Sequence, residues 1–348
     1  MNDKLQKLLD EYKLNYDKFG FGHYLDFDHT ESALKVGLVG CFYLDKSYKS
    51  EKRQAINQVL ALYDKNWGDH LTHGFGDGDP NTLYRYQNIS LAQKIILNNG
   101  FCLDTLSFYW SNVDKLYLIP DYLIKVLSRA ESVEKEYNTV SYLQFYLPIY
   151  ELKYFGVDKM VEFIRQVSQI LKPMHGFFGL GIRQRYKYYD YQYLEGELAR
   201  KYLGLDISTD EEDIHFRDGF KSINWLTILS EELFTEKLGS LDDVKQKNSD
   251  ESVIFHPYDG GVVVQAGEVP EFCDIGRNPY PEHYVNANAL LKQARAPMIA
   301  SFGFTSNNGK IQDSQTSKEW QSRFDDVTPT DLPPEESEEE ESVGINET

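Results

Sequence analysis

Several carboxylate and amide side chains that could bind a metal ion lie together in one loop of this 348-residue sequence. Asp77, Asp79 and the asparagine at position 81 supply oxygen ligands at positions 1, 3 and 5 of a calcium loop. Thr82 and Asn88 stand where that loop needs glycine and glutamate, so the pattern fails at its two most demanding positions. We therefore interpret the segment as a solvated loop, and we predict no metal and no cofactor.

Three histidines are the other candidates for chemistry. His70 and His73 are three residues apart but have no third ligand near them, so they do not predict zinc. His175 lies among glycines that match neither a phosphate-binding loop nor a dinucleotide motif, and no G-x-S-x-G nucleophile accompanies it. We interpret His175 as a hydrogen-bonded structural residue. A small hydrolase that uses His175 with nearby acidic residues is the alternative hypothesis.

The charge of the chain limits its partners. The net charge is −19, and residues 1–324 alone carry −9, because the acidic end of the chain has no Lys or Arg. Such a surface disfavours binding to the phosphate backbone of a nucleic acid and favours binding to a basic partner. Three widely spaced cysteines are typical of a reducing compartment, and no apolar run is long enough to span a membrane. We expect a cytoplasmic protein without direct contacts to nucleic acid or membrane.

The elements that must position these residues alternate between strand and helix patterns. Residues 34–44, 141–150 and 175–182 read as strands, and helical periodicity covers 55–67 and 157–171. This predicts an α+β fold, mostly antiparallel sheet with packed helices, built from two strand–helix–strand units and a C-terminal helix–hairpin–helix unit. The predicted organisation has three parts: an amphipathic helix in 1–20, one domain over 21–305, and a disordered acidic tail over 306–348. Within the domain, residues 34–130 and 138–304 form two possible halves.

The segment 219–274 carries the most local detail. Leu226, Leu229 and Leu233 predict a helix that Ser222 or Asn224 caps and that ends at the glycine in position 239. A hairpin follows, with strands at 252–257 and 262–266 joined by an Asp-Gly turn. The segment 297–304 is predicted as a final strand.

Exposed aromatic and acidic side chains are the candidates for contact with a partner protein. Tyrosines crowd into residues 186–193, and tyrosine is enriched in protein interfaces. With acidic neighbours that suit a basic partner, they define the predicted partner-binding set: Tyr188, Tyr189, Asp190, Glu195, Asp77 and Asp79.

Five stretches, taken together and in order, resemble one bacterial family. They are 141–148, ending in Tyr-Leu-Pro; His-Gly-Phe-Phe-Gly-Leu-Gly at 175–181; Gly-Leu-Asp-Ile at 204–207; Lys-Ser-Ile-Asn-Trp-Leu-Thr at 221–227; and Val-Gln-Ala-Gly, then Pro and Asp, within 264–274. Over residues 34–304 the chain resembles the TsiV-like immunity proteins of type VI secretion. It departs from them at Leu203-Gly204 and Cys273-Asp274, where the family has Pro-Gly and Gly-Asp.

The resemblance implies a protein that is not an enzyme. It would bind a cognate type VI effector, in some members a nuclease, and occlude its active site or DNA groove, with the oligomeric state left open. The matching motif residues would then be structural, with Trp225 in the core beside Val263 and Phe177. These residues are His175, Gly176, Gly179, Asn224, Trp225, Gln265, Gly267 and Asp274.

Overall fold

The computed structural model describes residues 3–14, 23–26, 29–32, 34–76, 83–86, 105–186, 192–207, 214–276, 280–299 and 314–327. Its helices are α1 (Asp3–Leu14), α2 (Ser50–Trp67), α3 (Glu131–Tyr137), α4 (Val157–Leu171), α5 (Gln192–Lys201), α6 (Glu231–Leu238), α7 (Leu241–Lys247), α8 (Glu282–Leu291) and α9 (Ser314–Gln321). Its strands are β1 (His23–Asp26), β2 (His29–Ser32), β3 (Lys35–Leu44), β4 (His73–Gly76), β5 (Tyr84–Arg85), β6 (Leu106–Ser111), β7 (Leu123–Ser128), β8 (Ser141–Leu147), β9 (His175–Arg183), β10 (Leu226–Ser230), β11 (Val253–Tyr258) and β12 (Gly261–Ala266).

One large sheet organises the described part of the chain. Ten strands follow the order β11-β12-β10-β9-β3-β8-β7-β6-β4-β5, and each neighbouring pair is antiparallel. The central strand β3 pairs with β8 on one side and β9 on the other, so the two predicted strand–helix–strand units share one continuous sheet. The prediction of an α+β fold with a mostly antiparallel sheet is confirmed.

The helix α4 supplies the main apolar layer against this sheet. Its buried side chains recur at helical spacing, and α4 also packs against α2. The sequence predicted this helix correctly, including its end before the proline at position 173. The helix α1 likewise buries the apolar stripe expected of it, which consists of Leu5, Leu8, Leu9 and Tyr12.

The predicted helix starting near Leu226 is wrong in its first half. Residues Leu226–Ser230 form β10, which lies between β9 and β12 and is buried on both faces. A short apolar run that is buried on both sides gives no strand periodicity, so its spacing also fits a helix. The helix α6 begins afterwards, capped by Ser230 Oγ, which accepts a hydrogen bond from Leu233 N at 3.2 Å. Ser222 and Asn224 therefore do not cap a helix.

The hairpin that follows agrees with the prediction. Strands β11 and β12 pair in register from Val253–Ala266 to Tyr258–Gly261. Gly260 lies in the turn at φ +112°, a left-handed conformation that side chains rarely adopt. The Asp-Gly signal therefore placed the turn at the correct residues.

The disordered tail predicted from residue 306 begins too early. The helix α9 packs on the body, with Trp320 and Phe324 buried. Arg323 stacks on the Trp320 ring at 4.0 Å and donates to Ser222 Oγ at 2.6 Å. Two aromatic residues four positions apart bury enough surface to anchor a segment that is otherwise polar. In the predicted final strand, 297–299 are not in a strand, and the rest lies outside the described residues.

Within the described residues, no helix combines the length and the apolar character that crossing a membrane requires.

Candidate partner-binding surface

His175, the residue of the hydrolase hypothesis, is buried, with 1% of its surface exposed. Its Nε2 lies 2.7 Å from Phe216 O, and its ring packs 4.7 Å from the Tyr43 ring. Burial lowers the pKa of the imidazole to about 4, so the ring is neutral near pH 7. A neutral ring enclosed by aromatic side chains is a packing residue without access to a substrate. This geometry favours the structural interpretation over the hydrolase.

Trp225, Gln265 and Gly267 form one hydrogen-bonded unit. Trp225 is fully buried, and its Nε1 donates to Gly267 O at 3.0 Å. Gln265 Nε2 donates to the same carbonyl at 3.0 Å. The Trp225 ring packs against that of Phe178, with centroids 6.0 Å apart, and its expected contact with Phe177 stays a prediction. These three motif residues therefore secure the end of β12.

Asn224 ties the residues before β10 to β9. Its Oδ1 accepts a hydrogen bond from Trp225 N at 2.7 Å, and its Nδ2 donates to Leu180 O at 3.4 Å. A Cβ atom on Gly179 would lie 1.9 Å from Asn224 Oδ1, so only glycine fits beside this amide.

The remaining motif residues have structural roles as well. A Cβ atom on Gly176 would lie 2.5 Å from Cys41 O in the neighbouring strand. Asp274 is buried, and its Oδ1 accepts a hydrogen bond from Gly276 N at 2.9 Å. The motif residues thus help to hold the core and its turns together, and Gln265 also lines a surface groove.

Most of the predicted partner-binding set falls outside the part of the chain that the structure describes. Tyr188, Tyr189, Asp190, Asp77 and Asp79 lie outside the described residues.

Glu195 is a correction to that set. Its side chain is completely buried in α5, and its Oε1 accepts a hydrogen bond from Gln184 Nε2. A carboxylate enclosed in this way cannot meet a partner at the surface. The sequence suggested exposure because charged residues are seldom fully buried, and the polar partner of Glu195 lies eleven positions away.

A groove at the β11 end of the sheet offers an exposed alternative that sequence reasoning missed. It has a volume of about 420 Å³ and lies between α4, the hairpin β11–β12 and the start of α1. Four carboxylates and one lysine line it. We call it the acidic groove, and its lining residues are Lys4, Asp158, Val161, Glu162, Glu251, Ser252, Ile254, His256, Gln265 and Glu268.

The charges in the acidic groove are partly compensated. The Arg165 guanidinium holds the pKa of Glu162 down to about 2 through a hydrogen bond of 2.7 Å. Lys4 and Glu268 form an ion pair of 3.7 Å in which both side chains are half exposed. In the described part of the chain, neither Asp158 nor Glu251 forms an ion pair. The groove therefore keeps a negative character.

A second exposed surface consists of two tyrosines. Tyr154 is 74% exposed and Tyr150 is 37% exposed. Tyr154 N donates to Tyr150 O at 3.0 Å, which places the two residues one helical turn apart at the start of a π-helical segment, Leu152–Gly156. The Tyr12 ring meets Tyr150 edge-on at 5.8 Å. The spacing of these tyrosines is visible in the sequence, but the predicted partner-binding set took its tyrosines from the segment 186–193 instead.

No group of three or more His, Cys, Asp or Glu side chains that could hold a metal ion occurs within the described ranges. His70 stacks on the Tyr122 ring with centroids 4.1 Å apart, and His73 Nδ1 lies 3.0 Å from Thr72 Oγ1. His70 and His73 thus each contact a nearby side chain, an aromatic ring and a hydroxyl group respectively.

Comparison with known proteins adds a family to this geometry. The family TsiV, described as type VI immunity for VRR-NUC, matches residues 55–324. Among solved structures, the Pseudomonas aeruginosa T6SS protein PA0821 shares 22% sequence identity, with 93% of each chain covered and a TM-score of 0.79. At this identity the structural similarity shows a common fold. No curated protein matches the sequence.

Proposed function

The chain belongs to the TsiV family of type VI immunity proteins, and on that premise we propose that it binds a cognate VRR-NUC effector nuclease and blocks its active site or DNA groove. The observation that carries this proposal is the extent of the family match, which runs from within α2 to Phe324 and includes every strand of the large sheet except β3. The producing cell would be protected by binding alone.

The electrostatics of the chain suit this role. A nuclease must attract the phosphate backbone, so its DNA-binding surface is basic. Residues 1–324 of this chain carry a net charge of −9. Opposite fields accelerate association and keep the inhibitor itself away from DNA. We therefore propose a cytoplasmic inhibitor that binds one effector molecule and makes no direct contact with nucleic acid or membrane.

The complex must persist for longer than the delivery of the toxin, so the binding must be tight. Nanomolar binding corresponds to about −12 kcal/mol. An interface of roughly 1,600 Å² with a few well-packed anchors supplies that free energy.

Co-expression provides the test. The neighbouring VRR-NUC effector is produced in cells with this chain, with an empty vector, or with an unrelated acidic protein of similar net charge. We expect survival and a recoverable one-to-one complex only with this chain. In a plasmid-cleavage assay, the chain should inhibit the cognate nuclease but leave an unrelated nuclease active. Equal killing in all three strains, with no complex recovered, would refute the proposal.

A further inference from the structure

We propose that the edge of the large sheet at β11, as the described residues form it, receives with the adjoining acidic groove a basic DNA-binding segment of the cognate nuclease, with Ile254 as the apolar anchor. This inference rests on the proposed function and specifies where the inhibitor meets its target. The occupant follows from charge complementarity, since the same segment of a nuclease that recognises phosphates also fits a surface of carboxylates.

Among the described residues β11 is an edge strand of the sheet, but its main chain is poorly suited to pairing with another strand. Val253 N donates to Asp250 O at 3.0 Å, and Val253 O accepts from Asn248 Nδ2 at 2.9 Å, so the outward groups of this residue are occupied. The main-chain groups of Phe255 and Pro257 point outward like those of Val253, because alternate residues of an antiparallel strand face the same side. Pro257 has no N–H to donate. Strand addition would thus gain few hydrogen bonds, which leaves the side chains as the means of recognition.

Ile254 is the apolar centre of this surface. It is 42% exposed although isoleucine is among the residues most often buried. Its neighbour on the same face of β11 is His256, whose Nε2 lies 2.8 Å from Gln265 Oε1. This pairing gives the wall of the groove a fixed shape. A fixed apolar residue surrounded by polar side chains is the usual arrangement of a protein interface, with an apolar core and a polar rim.

The rim carries the charge that selects the partner. Asp158 and Glu251 are exposed and lie within the same groove as Ile254. The half-exposed pair of Lys4 and Glu268 is held weakly, because solvent screens such a pair. An arginine or lysine of the nuclease can therefore displace Lys4 at little free-energy cost. The groove presents carboxylates where the nuclease would otherwise meet phosphates.

The experiment measures the kinetics of binding between the full chain and the purified nuclease by surface plasmon resonance, at about 50 mM and about 300 mM salt. The charge variant combines Asp158→Lys with Glu251→Lys. The matched control combines Glu136→Lys with Glu236→Lys, two exposed carboxylates that change the net charge equally but do not line the groove. Ile254→Ala is the third variant, and thermal melting checks that each variant is folded.

We expect the charge variant to associate roughly tenfold more slowly and with a weaker dependence on salt. Ile254→Ala should speed dissociation roughly fivefold, because an anchor affects the lifetime of the complex. The control should bind like the natural chain. If the natural chain binds and both groove variants match it, this surface is wrong while the proposed function stands. If the natural chain does not bind, both proposals are overturned.

Discussion

Replacement of Trp225 tests whether the family motif builds the core. The side chain is fully buried, its ring packs on Phe178, and its Nε1 donates to Gly267 O at 3.0 Å. Truncation to alanine removes the ring and leaves a cavity between β9 and β12. Such truncations cost about 3–5 kcal/mol. We expect Trp225→Ala to lower the free energy of unfolding by that amount.

Trp225→Phe separates packing from the hydrogen bond. Phenylalanine retains most of the apolar contact but removes the indole N–H. Gly267 O keeps its second donor, Gln265 Nε2, so the carbonyl is not left without a partner. The loss should therefore be about 1–2 kcal/mol, from one net hydrogen bond and a small void. A ratio of about three between the two variants would identify ring packing as the main contribution.

Urea denaturation followed by circular dichroism measures both values, and the affinity for the nuclease is measured under native conditions. Trp225→Phe should bind the nuclease as the natural chain does, because the residue has no exposed surface. A loss below about 1 kcal/mol for Trp225→Ala would contradict the buried position of the ring. A large loss of affinity in a stable Trp225→Phe variant would contradict the separation of core and binding surface.

Three further outcomes follow from the structure. Ending the chain at residue 327 should leave the free energy of unfolding within about 0.5 kcal/mol of its natural value in the same denaturation assay. Ending it at residue 324 should lower the free energy of unfolding by about 1–3 kcal/mol. The second truncation removes Asp325, whose Oδ2 lies 2.5 Å from Arg295 Nη2. The pKa of His175 is lowered from 6.5 to about 4 in the folded chain, so the unfolded chain binds the proton more readily. The free energy of unfolding should therefore fall by roughly 3 kcal/mol as the pH drops from 6.5 towards 4. In His175→Gln the loss over this pH range should be smaller by this amount. Tyr154→Ala should change stability by less than about 0.5 kcal/mol and leave the dissociation constant of the nuclease complex within about twofold if β11 is the docking edge; a tenfold loss would instead locate the interface at the exposed tyrosines.

The physical reason for the pH effect at His175 lies in its two ring nitrogens. Nε2 faces the Phe216 carbonyl, which requires a proton on that nitrogen. Nδ1 is buried and has no hydrogen-bond partner among the described residues. Protonation would add an N–H at Nδ1 with no acceptor and would charge a ring enclosed by aromatic side chains. The folded state therefore resists protonation more strongly than the unfolded chain.

Local signals in the sequence predicted those elements whose burial is one-sided or whose turn needs a special residue. The helix α4 has a single apolar face, and the hairpin turn needs positive φ at Gly260. Both were placed correctly. The strand β10 was mistaken for a helix because Leu226, Ile228 and Leu229 are all buried. Its nature depends on the neighbouring strands β9 and β12, which are distant in the sequence.

Surface features were harder to predict, since they depend on tertiary contacts. Glu195 looked available because charged residues are seldom fully buried, yet Gln184 and the body enclose it. Ile254 looked like an ordinary member of a strand, and nothing in the sequence indicates that β11 is the last strand of the sheet. The acidic groove likewise gathers carboxylates from three separate segments, around Asp158, Glu251 and Glu268.

The motif residues and the proposed docking surface therefore lie in different layers of the molecule, apart from Gln265, which belongs to both. The residues that carry the family motif, such as Trp225 and Asn224, are buried and secure the sheet. Buried residues cannot discriminate between nucleases, because they make no contact with a partner. Specificity must arise from exposed side chains, where a surface substitution changes stability by only about 0.5 kcal/mol. On the proposed docking surface, a substitution at Ile254 should thus alter binding of the nuclease while the core that presents it stays intact.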